Sequence, residues 1–287
     1  MARTIIIPLS DPRQDEEGIA EQAIICTHML VGGGNARIQL VSVIDDEAER
    51  AERLAYLDHI AGTIGDDVDT VVEQGNPAEQ ILAVAKRAEN PLIMMASHGR
   101  HGALLRALGS VAASVAAGAT CPVMILPASP ATQTPICKLI ERVLLPINDS
   151  AIVEQLIEAT IAELGEERSQ RIEFHLVDVT PPIPPQPATV AGERFADAHE
   201  VPAHFLRRAA ALIEERGYRA TWDLRIGDPA REITRIATER QINLIVMPAH
   251  SRNGFNSLVP TIFAAQVRTA EPVPVLLIHL DTGTRSI

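Results

Sequence analysis

The chain has 287 residues, about twice the roughly 150 residues of an ordinary domain, so we expect two domains and exclude a single small one. Its 37 acidic and 25 basic side chains give a formal net charge of −12, a sign that repels nucleic acids and anionic lipids. We therefore expect neither a nucleic-acid partner nor a membrane partner. Hydrophobic residues make up 46% of the chain but aromatic residues only 3%, which predicts a core of aliphatic side chains.

The cysteines and the apolar stretches indicate a cytoplasmic protein. Cys26, Cys121 and Cys137 are odd in number and have no CxxC spacing, which argues against a disulfide framework and against a thiolate zinc site. The apolar run near the N-terminus is too short for a secretory signal. The uncharged stretch from Ala107 to Cys137 is rich in small residues and contains helix-breaking prolines, so we expect no membrane span.

In the first half, short apolar runs alternate with amphipathic patterns. Apolar side chains three and four residues apart predict helices at Gly18–Val31 and Pro77–Arg87, and an Ala/Val-rich pattern predicts another at Ser110–Ala117. The apolar runs predict strands at Thr4–Leu9, Arg37–Ile44, Asp69–Glu73, Leu92–Ala96 and Val123–Leu126. Strands that alternate with helices indicate an open, mostly parallel sheet, which binds its ligands at the carboxyl ends of the strands.

The second half of the chain repeats the first. RTIIIPLSD returns as RVLLPINDS at an offset of 138, and GNPAEQI returns as GDPAREI at an offset of 152. The difference between the offsets predicts a net insertion of 14 residues in the second copy, which we place in the proline-rich stretch Thr180–Gly192. We expect this stretch to be a loop rather than added core. The polar stretch Ala128–Cys137 is the expected linker between the copies.

The loop that follows the fourth predicted strand, from Ala96 to Ser110, carries the sharpest candidate site. It passes Gly99 and Gly102 and ends in Gly109-Ser110 at the start of a helix. Glycines let backbone amides approach an anion closely, and the first amides of a helix are unpaired donors at the positive end of its dipole. Phosphate fits such a place, although the same residues also fit tight turns with Ser110 as the helix cap.

Three motifs of the sequence resemble the universal stress protein family. They are the spacing G-x2-G-x9-G-[ST] after the fourth strand, a strand that runs into Pro-x-Asp, and G-[DN]-P-A-x2-I at the start of a helix. The two copies resemble the tandem type of this family, with one domain at residues 1–128 and a second at 138–281. The resemblance implies an α/β fold with two Rossmann-like domains of the adenine-nucleotide alpha hydrolase type, each a five-stranded, mostly parallel sheet flanked by helices. It also implies a pseudo-dimer within the chain, joined by the last strand of each domain, and leaves a further homodimer open.

Many members of that family bind ATP or AMP, so the resemblance implies such a nucleotide in the first domain, with Mg²⁺ if it is ATP. Ser10 stands where nucleotide-binding members usually place an aspartate, and a one-residue shift at a strand end points the neighbouring Asp11 elsewhere. Ala96 stands where the first loop glycine is expected. Carried over residue by residue, the cofactor-binding positions are Leu9, Ser10, Val43, Met95, Ala96, Gly99, Arg100, Gly109, Ser110 and Val111.

The second domain departs further from these motifs. Pro248 and Ser251 occupy two glycine positions, Thr261-Ile262 replaces Gly-Ser, and Asn148 takes the aspartate position. We therefore expect a degenerate nucleotide loop in this domain and a structural or regulatory role for it.

The resemblance implies a stress-response protein that binds a ligand and regulates, not an enzyme. The sequence carries no Walker lysine and no G-x-S-x-G elbow, although slow ATP hydrolysis stays open. His199 and His204 are five residues apart, and Pro202 is expected to interrupt their helix, so we predict no metal site. Two alternatives stay open: an interaction module with a vestigial pocket, and a binder of another small molecule.

Overall fold

The computed structural model describes ten segments of the chain, namely residues 3–11, 36–65, 67–97, 108–127, 140–147, 151–164, 171–180, 191–249, 258–266 and 272–280. The first repeat contains β1 (Arg3–Pro8), β2 (Ala36–Ile44), a short 3₁₀ turn (Glu47–Glu49), α1 (Arg50–Ile64), β3 (Val68–Gln74), α2 (Pro77–Arg87), β4 (Pro91–Ala96), α3 (Ser110–Gly118) and β5 (Val123–Leu126). The second repeat contains β6 (Arg142–Pro146), α4 (Val153–Leu164), β7 (Glu173–Thr180), α5 (Ala191–Glu215), β8 (Arg219–Ile226), α6 (Pro229–Glu239), β9 (Leu244–Pro248), α7 (Leu258–Gln266) and β10 (Val275–Ile278). We call these repeats the first and the second unit.

The ten strands of the described segments form one sheet. Its order is β3-β2-β1-β4-β5-β10-β9-β6-β7-β8, so that each unit contributes five adjacent strands. The strands are parallel within each unit, and the one antiparallel pair among them joins β5 to β10. The predicted α/β fold and the predicted pairing of the two units through their last strands are therefore confirmed.

Helices cover both faces of the sheet because successive strand residues point to opposite sides. Ile5 and Leu40 pack on one face with α1, α4 and α5, and we call this the α1 face. Ile6 and Val41 pack on the other face with α2, α3, α6 and α7, and we call this the α2 face. The apolar cluster on each face contains residues of both units, so the units share one continuous core.

Helix α1 is the described element of the first unit that the sequence did not predict. Of its 15 residues only Arg53 and Leu57 are fully buried, and the other apolar side chains that pack on the core, such as Ile60 and Ile64, are half-buried. The predicted helix Gly18–Val31 and the predicted linker Ala128–Cys137 lie outside the described residues.

Some of the inserted residues of the second unit lie in a helix. Strand pairing aligns Val177 with Val41 at an offset of 136, and Asp223 with Val71 at an offset of 152, so 16 extra residues lie between β7 and β8. Helix α5 takes up ten of them, because it has 25 residues where α1 has 15. The prediction of a loop over Thr180–Gly192 is therefore wrong at both ends: Thr180 ends β7, and α5 begins at Ala191.

Helix α5 also continues through Pro202, contrary to the expected interruption. Proline removes one helical hydrogen bond, and the buried side chains of Leu206, Ala209 and Ile213 bury apolar surface that offsets this loss. No helix in the described part of the chain combines the length and the apolar character that a membrane span needs.

Candidate functional site

The carboxyl ends of β1 and β2 lie side by side. The Leu9 amide donates to the carbonyl of Val41 at 2.8 Å, which extends the β1–β2 ladder beyond the end of β1. The Leu9 side chain is buried in the cluster of the α1 face, whereas Ser10 is exposed. Of these two predicted site residues, therefore, only Ser10 presents its side chain to solvent.

Three of the predicted site residues share the α2 face at this edge. Met95 is a buried member of the apolar cluster there, and Val43 and Val111 are half-buried against the same cluster. They come from the end of β2, the end of β4 and the first turn of α3. Their side chains form an apolar wall of the kind that packs against a nucleobase.

Two short hydrogen bonds close the loop that joins β4 to α3. The Ser97 amide donates to the Leu126 carbonyl at 2.7 Å, and the Gly109 amide donates to the Ser97 carbonyl at 2.7 Å. The loop therefore leaves and returns at the same point of the sheet, beside the half-buried Ala96. Gly99 and Arg100 lie in the part of this loop that falls outside the described residues.

Helix α3 begins without a capping side chain. Gly109 is its N-cap residue, and Ser110 is its first helical residue and is exposed, so the alternative in which Ser110 caps the helix is wrong. The N-cap of α2 differs, because the Asn76 side chain accepts from the amides of Ala78 and Glu79 at 3.0 and 3.2 Å. At α3 no N-cap side chain accepts from the first amides, and a phosphate fits this place as their acceptor.

A buried arginine organises the other side of the β1–β2 edge. Arg53 of α1 is 5% exposed, and its guanidinium lies 3.2 Å from the Asp11 carboxylate and 3.6 Å from that of Glu49. It also donates to Ser42 Oγ at 3.3 Å, and the Ser42 hydroxyl donates to the Leu9 carbonyl at 3.1 Å. Sequence reasoning missed this network because it missed α1, and no periodic signal marks Arg53 as buried.

The corresponding helix of the second unit begins earlier. Thr261 and Ile262, which align with Gly109 and Ser110, lie inside α7, which already includes Leu258. The Thr261 hydroxyl donates to the Leu258 carbonyl at 2.8 Å, one turn back along the helix. Amides at these positions therefore belong to the interior of a helix, where backbone carbonyls accept from them.

A second polar network lies in the middle of the second unit. His175 is 3% exposed, with Nε2 3.2 Å from Asp223 Oδ2 and Nδ1 2.8 Å from Thr221 Oγ1. Arg240 and Arg225 also reach Asp223 Oδ2, at 3.1 and 3.2 Å. Burial lowers the pKa of His175 even though the Asp223 carboxylate acts to raise it. In the first unit Gln39 and Val71 occupy the places of His175 and Asp223, so that unit does not repeat the His175–Asp223 contact.

The described residues hold no group of three His, Cys, Asp or Glu side chains that suits a metal ion. Burial raises the pKa of the Cys121 thiol to about 11, so this cysteine stays protonated near neutral pH.

A cavity of about 620 Å³ lies away from the carboxyl edge. It opens near the amino ends of β1 and β2 and along the edge strand β3, beside the last turn of α2. Its lining includes two ion pairs, the exposed Arg37 with Asp69 at 3.5 Å and Arg87 with the half-buried Glu73 at 2.8 Å. None of the predicted site residues that the structure describes lines it.

The chain resembles known proteins and structures. It matches the model of the Universal stress protein family over residues 37–127 and 140–279. The universal stress protein YxiE of Bacillus subtilis is 31% identical over 111 residues, which cover 38% of this chain and 74% of that protein. A solved universal stress protein from Archaeoglobus fulgidus is 19% identical, with a TM-score of 0.63 and 96% of each chain covered. A functionally unknown protein from Pseudomonas aeruginosa is 16% identical, with a TM-score of 0.68 over 98% of this chain and 93% of its own.

Proposed function

Because the chain belongs to the universal stress protein family, we propose that its first unit binds an adenine nucleotide and that occupancy of this site regulates the contacts of the protein with a partner. The nucleotide would lie at the carboxyl ends of β1, β2 and β4, with its phosphates at the start of α3. The second unit completes the sheet and binds no nucleotide in this manner. We place the protein in the cytoplasm, which supplies both ATP and AMP.

The observation that carries this proposal is the uncapped start of α3. Gly109 brings no side chain to the first amides, and its own amide is held by the Ser97 carbonyl, so the backbone at this point is fixed in place. Fixed amide donors at the positive end of a helix favour a phosphate without the cost of ordering a loop. The apolar wall of Val43, Met95 and Val111 on the same face would pack against the adenine ring.

The site is built for binding rather than turnover. Backbone amides stabilise the charge of a phosphate, but they supply no general base for an attacking water. When ATP is bound, Mg²⁺ would accompany its phosphates and offset part of their charge. Because amide donors act without a lysine on the phosphates, we expect micromolar or weaker affinity for ATP, and tighter binding of ATP than of AMP.

Calorimetric titration of the intact protein with ATP and with AMP, each with and without Mg²⁺, tests this function. We expect one nucleotide per chain, and we expect affinity for ATP to fall as salt is raised because phosphate recognition is electrostatic. Equilibrium dialysis with labelled nucleotide provides an independent readout. If neither method detects binding of ATP or AMP at millimolar concentration, the proposed function is wrong, and an interaction module with a vestigial pocket takes its place.

One observation favours a second candidate, the binding of a different small molecule. The cavity of about 620 Å³ beside β3 has a volume within the range of small-molecule sites, and its polar lining suits a charged or dipolar ligand. Native mass spectrometry of the purified protein tests this candidate by searching for a retained compound. A retained compound that survives the exchange Gly109→Val but is lost with Asp69→Asn would favour this cavity over the carboxyl edge.

A further inference from the structure

Several carboxylates lie at the carboxyl ends of β1 and β2, and they differ in whether another group of the protein already binds them. This matters because a carboxylate is the side chain that reads ribose hydroxyls in many doubly wound nucleotide sites, where it follows the second strand of the sheet. In this chain the polar residue at the end of β1 is Ser10, whose hydroxyl is neutral.

The carboxylate next to Ser10 is already engaged. Asp11 Oδ2 lies 3.2 Å from the buried guanidinium of Arg53, which also contacts Ser42. Releasing Asp11 toward a ligand would leave a buried arginine short of its partner, which is costly. Asp11 is therefore a structural residue of this edge.

The segment that follows β2 carries four acidic residues, and three of them are also engaged. Asp46 accepts from the Ala48 amide at 3.0 Å and caps the 3₁₀ turn. Glu47 forms an ion pair with Arg50, and Glu49 lies 3.6 Å from Arg53. These contacts keep the three side chains on α1 and its first turn.

Asp45 is the fourth, and within the described part of the chain its carboxylate has no partner. Its backbone is nevertheless fixed, since its carbonyl accepts from Gln74 Nε2 at 3.1 Å and the preceding Ile44 carbonyl accepts from the Gly75 amide at 3.1 Å. Asp45 directly follows Ile44, the last residue of β2, and is exposed at the carboxyl end of this strand, two residues after Val43.

We propose that Asp45 accepts hydrogen bonds from the ribose hydroxyls of the adenine nucleotide and so gives the site a preference for ribonucleotides over deoxyribonucleotides. This inference rests on the proposed function, because it assigns a residue of the same site. It gives the ribose a charged acceptor from the end of β2 instead of the end of β1. A site that reads a hydroxyl in this way discriminates against the analogue that lacks it.

The direction in which Asp45→Asn changes the affinity for ATP distinguishes hydrogen bonding to the ribose from a merely electrostatic effect. If Asp45 faced only the phosphates, Asp45→Asn would remove a repulsion and tighten the binding of ATP. If Asp45 accepts from ribose, the same change weakens ATP binding and leaves the deoxynucleotide almost unaffected. Asp58→Asn is the matched control, because it removes the same charge from an exposed side chain of α1, and asparagine keeps the oxygen that accepts from the Thr70 hydroxyl.

The experiment is a calorimetric titration of the parent, Asp45→Asn and Asp58→Asn with ATP, 2′-deoxy-ATP and 3′-deoxy-ATP. We expect the parent and the control to bind ATP about tenfold more tightly than at least one deoxy analogue, and we expect Asp45→Asn to abolish that ratio by weakening ATP binding. Equal binding of all three nucleotides by the parent, or an unchanged or tighter ATP affinity in Asp45→Asn, overturns this inference and leaves the proposed function standing. Failure of the parent to bind any of the three overturns both.

Discussion

Met124 and Leu276 occupy the same position in the two units and lie directly opposite each other in the antiparallel β5–β10 pair. Their neighbours pair in the same symmetric way, Val123 with Leu277 and Ile125 with Val275, so a local twofold relation passes through the Met124–Leu276 pair. Each unit thus covers the edge strand of the other with the equivalent strand, and neither β5 nor β10 is left as an open edge.

This arrangement predicts that the first unit alone self-associates. A chain of residues 1–128 would expose β5, whose four residues are all buried in the intact protein. Because the β5–β10 contact already pairs equivalent positions, a second copy of β5 can replace β10 with little change in geometry. Size-exclusion chromatography with light scattering should show dimers or larger species. A monodisperse monomer of 1–128 would contradict this prediction.

We expect substitution of Arg53 to cause a large loss of stability. The change Arg53→Met keeps the length and the apolar stem of the side chain but leaves Asp11 without its buried ionic partner. We expect the free energy of unfolding to fall by about 3 kcal/mol, the usual cost of removing one partner of a buried pair. Urea unfolding followed by circular dichroism measures it, with the exposed Arg37→Met as the control. If both substitutions lowered the free energy of unfolding by the same small amount, the Arg53 network would contribute little to stability.

The sequence predicted the elements whose signal is local. The strands were visible because a buried parallel strand such as β4 is a short, continuous apolar run, and α2 was visible because Asn76-Pro77 is a helix start followed by apolar residues at helical spacing. Helix α1 was not predicted, because its fully buried residues are only one arginine and one leucine and its other core-facing side chains are half-buried. A charged residue carries no sign of burial until its partner Asp11, more than forty positions away, is placed beside it.

The candidate site was predictable in its backbone but not in its polar contacts. Gly109-Ser110 marks the start of α3, yet nothing in the residues around Thr261 indicated that α7 already includes Leu258, four positions before the residue that aligns with Ser110. Similarly, the spare carboxylate of Asp45 follows only from the contacts that occupy its acidic neighbours. Such assignments depend on side-chain pairing across elements, which periodicity does not report.

His175 predicts a specific dependence of stability on pH. Burial lowers its pKa below the ordinary 6.5, so the unfolded chain takes up this proton at a higher pH than the folded protein does. Its contribution to stability is therefore fully present above about pH 6.5 and is lost as the pH falls toward the pKa of the folded state. The effect should be seen as a free energy of unfolding that drops on mild acidification.

The variant His175→Gln isolates this effect, because the first unit carries Gln39 at the same place and the fold accepts it there. We expect urea unfolding at several pH values to show a flatter profile for His175→Gln than for the parent between about pH 7 and about pH 5. The exposed His204→Gln serves as the control and should follow the parent. Parallel profiles for all three proteins would mean that His175 keeps the same pKa in both states.

We expect substitution of Gly109 to weaken nucleotide binding without changing the stability of the protein. Its φ of −59° and ψ of 151° lie in a region that valine adopts readily, so Gly109→Val should leave the free energy of unfolding within about 0.5 kcal/mol of the parent. A branched side chain beside the first amides of α3 would nevertheless occupy the space that a phosphate needs. We expect ATP affinity to fall at least about tenfold in a calorimetric titration, because charge-assisted amide contacts are lost.

Thr261→Val, at the aligned position inside α7, is the control and should bind ATP as the parent does. The opposite result, with ATP binding kept in Gly109→Val and lost in Thr261→Val, would move the nucleotide to the second unit.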